Sequence, residues 1–170
     1  MDKNEILKLI RSRRSIRKFR EQNIPEETVF EILEAGIWAP SGLNNQPWRF
    51  IIIKDRDLRD KISRLTKYSR IITAADFCIA VFYNKPAGYD RDKDLMAIGS
   101  CIQNMLLYSH SAGIGSVWLG EILKNKQEIN GIFEIDESCE FMALLAFGIP
   151  DEAPSSGRSD ISSMMLKPSL

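Results

Sequence analysis

The sequence predicts one α+β domain spanning residues 1–170. Three observations predict it. Segments with helical spacing and segments that read as strands share the chain, without the regular alternation of a βαβ protein. No internal repeat or break in composition marks a domain boundary. A chain of 170 residues is long enough for one substantial core and short for two. Its 44% hydrophobic and 27% charged residues are an ordinary globular balance.

Taken in order, Asp2 and Glu5 resemble a capping box ahead of an amphipathic helix carrying Ile6, Leu7, Leu9 and Ile10 and ending near Arg11. Residues 15–19 (SIRKF) look extended. Pro25, Glu26 and Glu27 suit a helix N-terminus, because Pro loses no hydrogen bond there and acids oppose the dipole. Val29, Ile32, Leu33 and Ile37 continue that helix to about Trp38. Residues 40–47 (PSGLNNQP) read as a loop, 48–53 as a strand and 58–65 as a short helix. The apolar run 77–83 predicts a buried strand, followed by a polar loop over 85–92. Residues 95–112 predict a helix of about five turns that is apolar or small almost all round. No side chain between Asp94 and Glu121 carries a fixed charge, His110 being the nearest exception. A helix without a polar face is buried on every side, and so small a chain can hardly cover it alone, which points to an extensive subunit interface. Residues 117–119 read as a short strand, 124–129 as a short helix and 141–147 as a final strand. The polar tail from Pro150 either frays or lies on something.

The formal net charge is zero, so the molecule as a whole has no general attraction for nucleic acid or an anionic membrane. The distribution is uneven: residues 1–20 hold eight Lys and Arg against Asp2 and Glu5. Such an excess marks an anion site, a nucleic-acid arm or a solvated face. No aromatic platform is interleaved with it, which disfavours nucleic acid. Cys78, Cys101 and Cys139 are far apart and fit neither a metal motif nor a disulfide framework. Cys78 and Cys101 sit in apolar runs and read as core thiols, which suits a reducing cytosol. The first residues lack the apolar stretch of a signal peptide and no run reaches the length of a membrane span, so a cytoplasmic location is expected.

Four segments carry candidate chemistry. Arg13, Arg14, Ser15 and Arg17 offer guanidinium forks and a hydroxyl suited to phosphate, although taken alone the segment reads more readily as a solvated basic face at a helix end, where cations suit the dipole. The 40–48 loop offers amides to a heteroaromatic ligand, or simply joins a helix to a strand. The glycines of 113–120 (GIGSVWLG) follow a helix and precede a strand, the reverse of a dinucleotide fingerprint, so a Rossmann site is excluded and Gly113 reads as a helix stop. Arg158 stands alone in the tail. The only histidine, His110, lies on the apolar helix and reads as structural.

Together the series RRSIRKF, APSGLNNQPWRF, AIGSCIQNMLLYSHSAGIGSVWLG and AFGIPDE with a later Arg closely resembles the nitroreductase-like FMN flavoproteins, from about Ile6 to Arg158. The resemblance implies a sheet, mostly antiparallel and flanked by helices, in an intertwined homodimer with two FMN molecules at the subunit interface. It implies that Arg13, Arg14 and Ser15 hold the FMN phosphate and ribityl end, with Arg158 reaching the phosphate and Arg17 near the flavin N1/O2 edge. Pro40, Ser41, Gly42, Asn44 and Gln46 come from the other subunit, and Leu119 and Gly120 present backbone N–H groups to the N5/O4 edge. No catalytic side chain and no metal is implied, since flavin N5 carries the chemistry between NADH or NADPH and a small organic acceptor such as a nitroaromatic or quinone, by a ping-pong mechanism. Reductive dehalogenation, ene reduction, flavin fragmentation and a non-catalytic redox sensor are the alternatives that the resemblance leaves. The short 84–94 segment offers little lid, which favours a broad acceptor range. The chain departs from common patterns at Ser156, where larger relatives often carry Lys, and at Arg14, where His is frequent. For a cation at the pyrimidine edge, Arg70 is the nearest substitute.

Overall fold

A computed structural model describes residues 3–167. Asp2, half of the expected capping box, lies outside the described residues. In chain order the elements are α1 (Lys3–Ser12), β1 (Phe19–Arg20), α2 (Glu26–Ile37), β2 (Trp48–Ile53), α3 (Arg56–Ser63), α4 (Ser69–Ala74), β3 (Phe77–Asn84), α5 (Arg91–Ser111), β4 (Gly115–Leu119), α6 (Lys126–Ile132) and β5 (Cys139–Pro150). Short 3-10 turns cover Gly42–Asn44, Lys85–Ala87, Glu121–Asn125 and Ile161–Met164. No helix among the described residues is long and apolar enough to cross a membrane.

The strands lie in the order β1-β5-β3-β2, with β4 also paired to β5, and every strand pairing is antiparallel. An isolated parallel bridge joins Ser15 to Ser116. Strand β3 explains why its sequence is apolar without alternation. Phe77, Ile79, Val81 and Tyr83 face one cluster, while Cys78, Ala80 and Phe82 face the other. Side chains alternate across a strand, so a sheet covered on both faces needs apolar residues at both parities. Helices α2 and α5 cover the first face. Ile62, Ile71, Ile72, Ile122 and Ile129, from α3, α4 and the segment around α6, cover the second. Phe77 and Phe147 stack across β3 and β5 with ring centroids 4.8 Å apart.

Helix α5 begins earlier than expected, at Arg91, because Asp90 caps it by accepting from the Lys93 N–H. It ends in a Schellman motif: Ile114 N–H bonds to Ser109 O, Gly113 N–H bonds to His110 O, and Gly113 takes φ 74°. Within one chain its burial is one-sided. Ala97, Ile98, Cys101, Ile102, Met105 and Leu106 are buried, but Met96 is 72% exposed and Gln103 is exposed. The sequence could not reveal this, since the open stripe is as uncharged as the buried one. Against α2 the helix fits closely: a Cβ on Gly36 would stand 2.6 Å from Met105 Cε.

Other differences are local. Helix α4 was not anticipated, and β5 extends beyond its apolar middle at both ends. The tail does lie on something, since Asp151 N–H bonds to Lys18 O and Ser156 O accepts from Arg14. Cys78 and Cys101 are buried and unpaired, and burial pushes both thiols up to about 12, which makes them inert at neutral pH.

Candidate functional site

The site begins where α1 stops. Ser12 Oγ returns to Leu9 O at 3.1 Å and shares a hydrogen bond of 2.8 Å with His110 Nε2, tying the end of α1 to the end of α5. Arg14 then folds back, donating through Nη1 to Arg11 O at 2.6 Å and Arg13 O at 2.7 Å, and through Nη2 to Ser156 O at 2.9 Å. Its Nε is buried without a partner. The chain straightens at Ser15, and Ile16 N–H bonds to Ser116 O at 3.0 Å, docking the segment beside β4. Glu152 of the returning tail accepts from Arg17 N–H at 2.5 Å.

These contacts gather Arg13, Arg14, Ser15, Arg17 and Arg158 around a cleft of about 250 Å³. Among the described residues no acidic side chain lines it. Arg13 shows the consequence: burial, then Arg158, then Arg14 push its guanidinium below the ordinary range. Two larger clefts lack this imbalance. One of about 640 Å³ sets Lys85 and Lys126 against Asp136, Glu137 and Glu140, and one of about 440 Å³ sets Arg20, Arg56 and Arg59 against Glu21 and Asp76. Crowded cations without counter-charge are costly, and an anion with several acceptor oxygens removes the cost. An adjoining cleft of about 310 Å³ shares Arg14 and is bordered by His110, whose basicity is lowered by burial and by Arg13 and Arg14.

Leu119 and Gly120 lie three and four residues beyond Ser116, so roughly 10–13 Å of strand separates them from Ser15. Among the described residues, its two chain neighbours apart, none stands within 4 Å of a Cβ built on Gly120, leaving space in front of that backbone. The sequence reading missed how the 66–67 segment closes this end: Thr66 Oγ1 donates to Glu121 Oε2 at 2.6 Å. Lys124 first, then Thr66, hold the Glu121 carboxyl down at about 2. Arg70 is exposed on α4.

Pro40, Ser41, Gly42, Asn44 and Gln46 are elsewhere. Their loop packs on the start of α5, where Asn45 Nδ2 donates to Asp94 Oδ1 at 2.7 Å and the Tyr89 ring fills the place of a side chain on Gly42. Leu43, Asn44 and Gln46 all have positive φ, of 53°, 56° and 47°. Asp94 and His110 mark opposite ends of α5, and sixteen residues of helix span roughly 24 Å. One chain therefore brings the arginine set near Leu119 and Gly120, but not the 40–46 loop.

The sequence profile of the Nitroreductase family matches residues 10–69 and 63–149. A protein of Methanothermobacter thermautotrophicus, provisionally named NADH dehydrogenase/NAD(P)H nitroreductase, is 32% identical over 161 residues, covering 91% of this chain and 82% of that protein. The iodotyrosine deiodinase of Thermotoga neapolitana is 25% identical over 169 residues, covering 85% of this chain and 88% of that protein. Among solved structures, a provisionally named nitroreductase from Desulfovibrio desulfuricans, in complex with FMN, superposes with a TM-score of 0.95 at 40% identity, covering 99% of each chain. With the profile running from within α1 to residue 149, over nearly all of the sheet and over Arg13, Arg14, Ser15 and Arg17 of the cleft, the chain belongs to the nitroreductase family.

Proposed function

We propose that this protein is an FMN-dependent oxidoreductase that moves hydride from NADH or NADPH to a small organic acceptor, as a homodimer with two flavin sites in its seam. One observation carries the reading: Arg13, Arg14 and Arg158 crowd around Ser15 in a cleft lined by no acid. A phosphate monoester fits that donor set, and the unpartnered Nε of Arg14 adds a further buried donor. When bound there, FMN would supply the two-electron carrier between the nicotinamide and the acceptor.

The chain's own groups do the holding. Arg13, Arg14, Ser15 and Arg158 grip the anionic end. Leu119 and Gly120, at and just past the end of β4, would present backbone N–H groups to the N5/O4 edge. Arg17 sets a fixed cation where two-electron reduction adds negative charge to the pyrimidine edge. Pro40, Ser41, Gly42, Asn44 and Gln46 reach the ring from the second chain. The support for this is geometric: the loop is roughly 24 Å of helix away from the arginines of its own chain, and the uncharged stripe of Met96, Gly99 and Gln103 on α5 is open for a second copy. Buried, unpaired Cys78 and Cys101 suit a reducing cytoplasm.

The acceptor range follows from the β3–α5 connection. It holds only residues 85–90, too few to build a selective lid, which favours nitroaromatics and quinones over a dedicated substrate. The kinship with an iodotyrosine deiodinase makes reductive dehalogenation the second reading. The test is direct: the purified protein should be a yellow dimer that NADH or NADPH bleaches, and varying donor and acceptor together should give parallel reciprocal plots. A colourless protein that ignores added FMN, or flavin-free protein that oxidises NADH equally fast, would falsify the reading. Iodotyrosine turnover far above quinone turnover would favour the second.

A further inference from the structure

Asp94 is fully buried, and among the described residues no cation forms an ion pair with it. Four donors from three places converge on its carboxylate. Asn45 Nδ2 of the 40–47 loop reaches Oδ1 at 2.7 Å. Tyr83 OH at the end of β3 reaches Oδ2 at 3.1 Å. The backbone N–H groups of Tyr89 and Asp90 reach the same oxygen at 3.0 and 3.3 Å. Burial alone would push the pKa of this carboxyl up, but the hydrogen bonds from Asn45, Tyr89, Tyr83 and Asp90 outweigh it and hold the group below its ordinary range. An ionised carboxylate accepts only, so it orients the Asn45 amide with Nδ2 inward. Its contact with the Asp90 N–H is reciprocal to the Asp90 cap of α5, in the manner of a capping box, but a cap needs neither the Asn45 nor the Tyr83 donor.

The clamp acts on a loop that needs holding. Leu43, Asn44 and Gln46 sit in the left-handed region, where non-glycine residues are strained, and Asn45 lies among them. Asn45 also donates to Ala87 O at 3.0 Å, while its own Oδ1 is buried without a partner. A buried amide kept half-satisfied between strained residues points to a shape retained for use. We infer that Asp94, through Asn45, is a positioning residue that shapes the 40–46 loop for the flavin held by the arginines of the partner subunit. The inference rests on the dimeric FMN reading and adds a residue and a direction to it: Asp94 acts in trans.

Mixed dimers test the direction. Asn45→Ala removes the clamp gently and Asp94→Asn reverses one donor. Each should weaken FMN binding about tenfold or more, as loss of a charge-assisted hydrogen bond at a binding surface does. Combining Asp94→Asn with Asn45→Asp restores a donor–acceptor pair and should recover part of the loss. Asn45→Ala is then co-expressed, under a different tag, with an Arg13→Ala/Arg158→Ala chain, and the mixed dimer is isolated. If Asp94 works in trans, one site carries both defects and the other carries neither. The mixed dimer should hold one FMN with wild-type affinity and show about half the wild-type turnover. A defect confined to one chain's folding or to its own arginine cleft would leave both sites damaged and no tight flavin. Wild-type protein that takes up no FMN defeats the function itself. Wild-type protein that binds FMN, with Asn45→Ala and Asp94→Asn binding it equally well, defeats this inference alone; a mixed dimer that keeps no intact site defeats the trans direction here and the loop placement of the dimeric reading with it.

Discussion

Arg13 and Arg14 are adjacent and identical in charge, yet the structure assigns them opposite effects on stability. Arg14 donates to three carbonyl oxygens at 2.6, 2.7 and 2.9 Å, two at the end of α1 and one in the tail. Hydrogen bonds to charged groups contribute about 1.5–3 kcal/mol each when well buried, and partial exposure discounts them, so Arg14→Ala should cost about 2 kcal/mol. For a chain of this length, an unfolding entropy near 2.1 cal/mol/K per residue converts that to a Tm lower by about 5–6 °C. Arg13 differs. No carbonyl or carboxylate among the described residues takes a hydrogen bond from its guanidinium, which instead faces Arg158 and Arg14. Removing it relieves repulsion, so Arg13→Ala should leave the flavin-free Tm unchanged or raise it by about 1–2 °C. If both guanidinium groups hold the phosphate as proposed, FMN affinity should fall roughly 10–100-fold in each variant. Thermal melts of flavin-free protein and titration of flavin fluorescence read the two effects separately. Equal destabilisation by both substitutions, or an unchanged FMN Kd for Arg13→Ala, would refute the reasoning.

Three further outcomes follow from local geometry. Arg91 donates to Glu140 through both Nη atoms at 2.8 and 3.2 Å, Lys126 adds a third contact at 2.8 Å, and Arg91 first among them holds this carboxyl at about 2. The folded value lies below the unfolded one, so this contribution is complete above about pH 4.5 and fades as pH falls towards 2; Glu140→Gln should cost about 1–2 kcal/mol at pH 7 after allowing for the exposed partners, and flatten the acid limb of the Tm–pH curve. His110 has its basicity lowered by burial, then by Arg13 and Arg14, so the fold prefers the neutral ring. Flavin-free stability should therefore decline as pH drops below about 6.5, and the decline should shrink in His110→Gln, as melts between pH 5 and 8 would show. Gly36→Val should lower the Tm through overpacking of about 1–3 kcal/mol, because its new atoms meet Met105 and Cys101 between α2 and α5; an unchanged melt would mean that the α2–α5 contact is looser than described.

Much of this molecule is legible in its sequence because periodicity and capping are local. The apolar run 77–83 marked β3, Trp48–Ile53 matched β2 in full, and Gly113 stopped α5 as a left-handed residue must. The order of the motifs also carried the family and the list of candidate ligand-binding residues. Helix α4 escaped because six residues are too few to display a helical period.

What only the tertiary structure decided is how charges and faces meet. Basic residues in a sequence cannot be told from a solvated face until the tail returns Ser156 and Arg158 to Arg13 and Arg14 and leaves the cleft without an acid. A uniformly uncharged helix conceals which side faces its own core, and α5 has one side buried and one side open. The pairing of Asn45 with Asp94 joins residues forty-nine positions apart, through bonds that no local pattern encodes. Those contacts depend on chain reversal and burial, which arise only when distant segments pack.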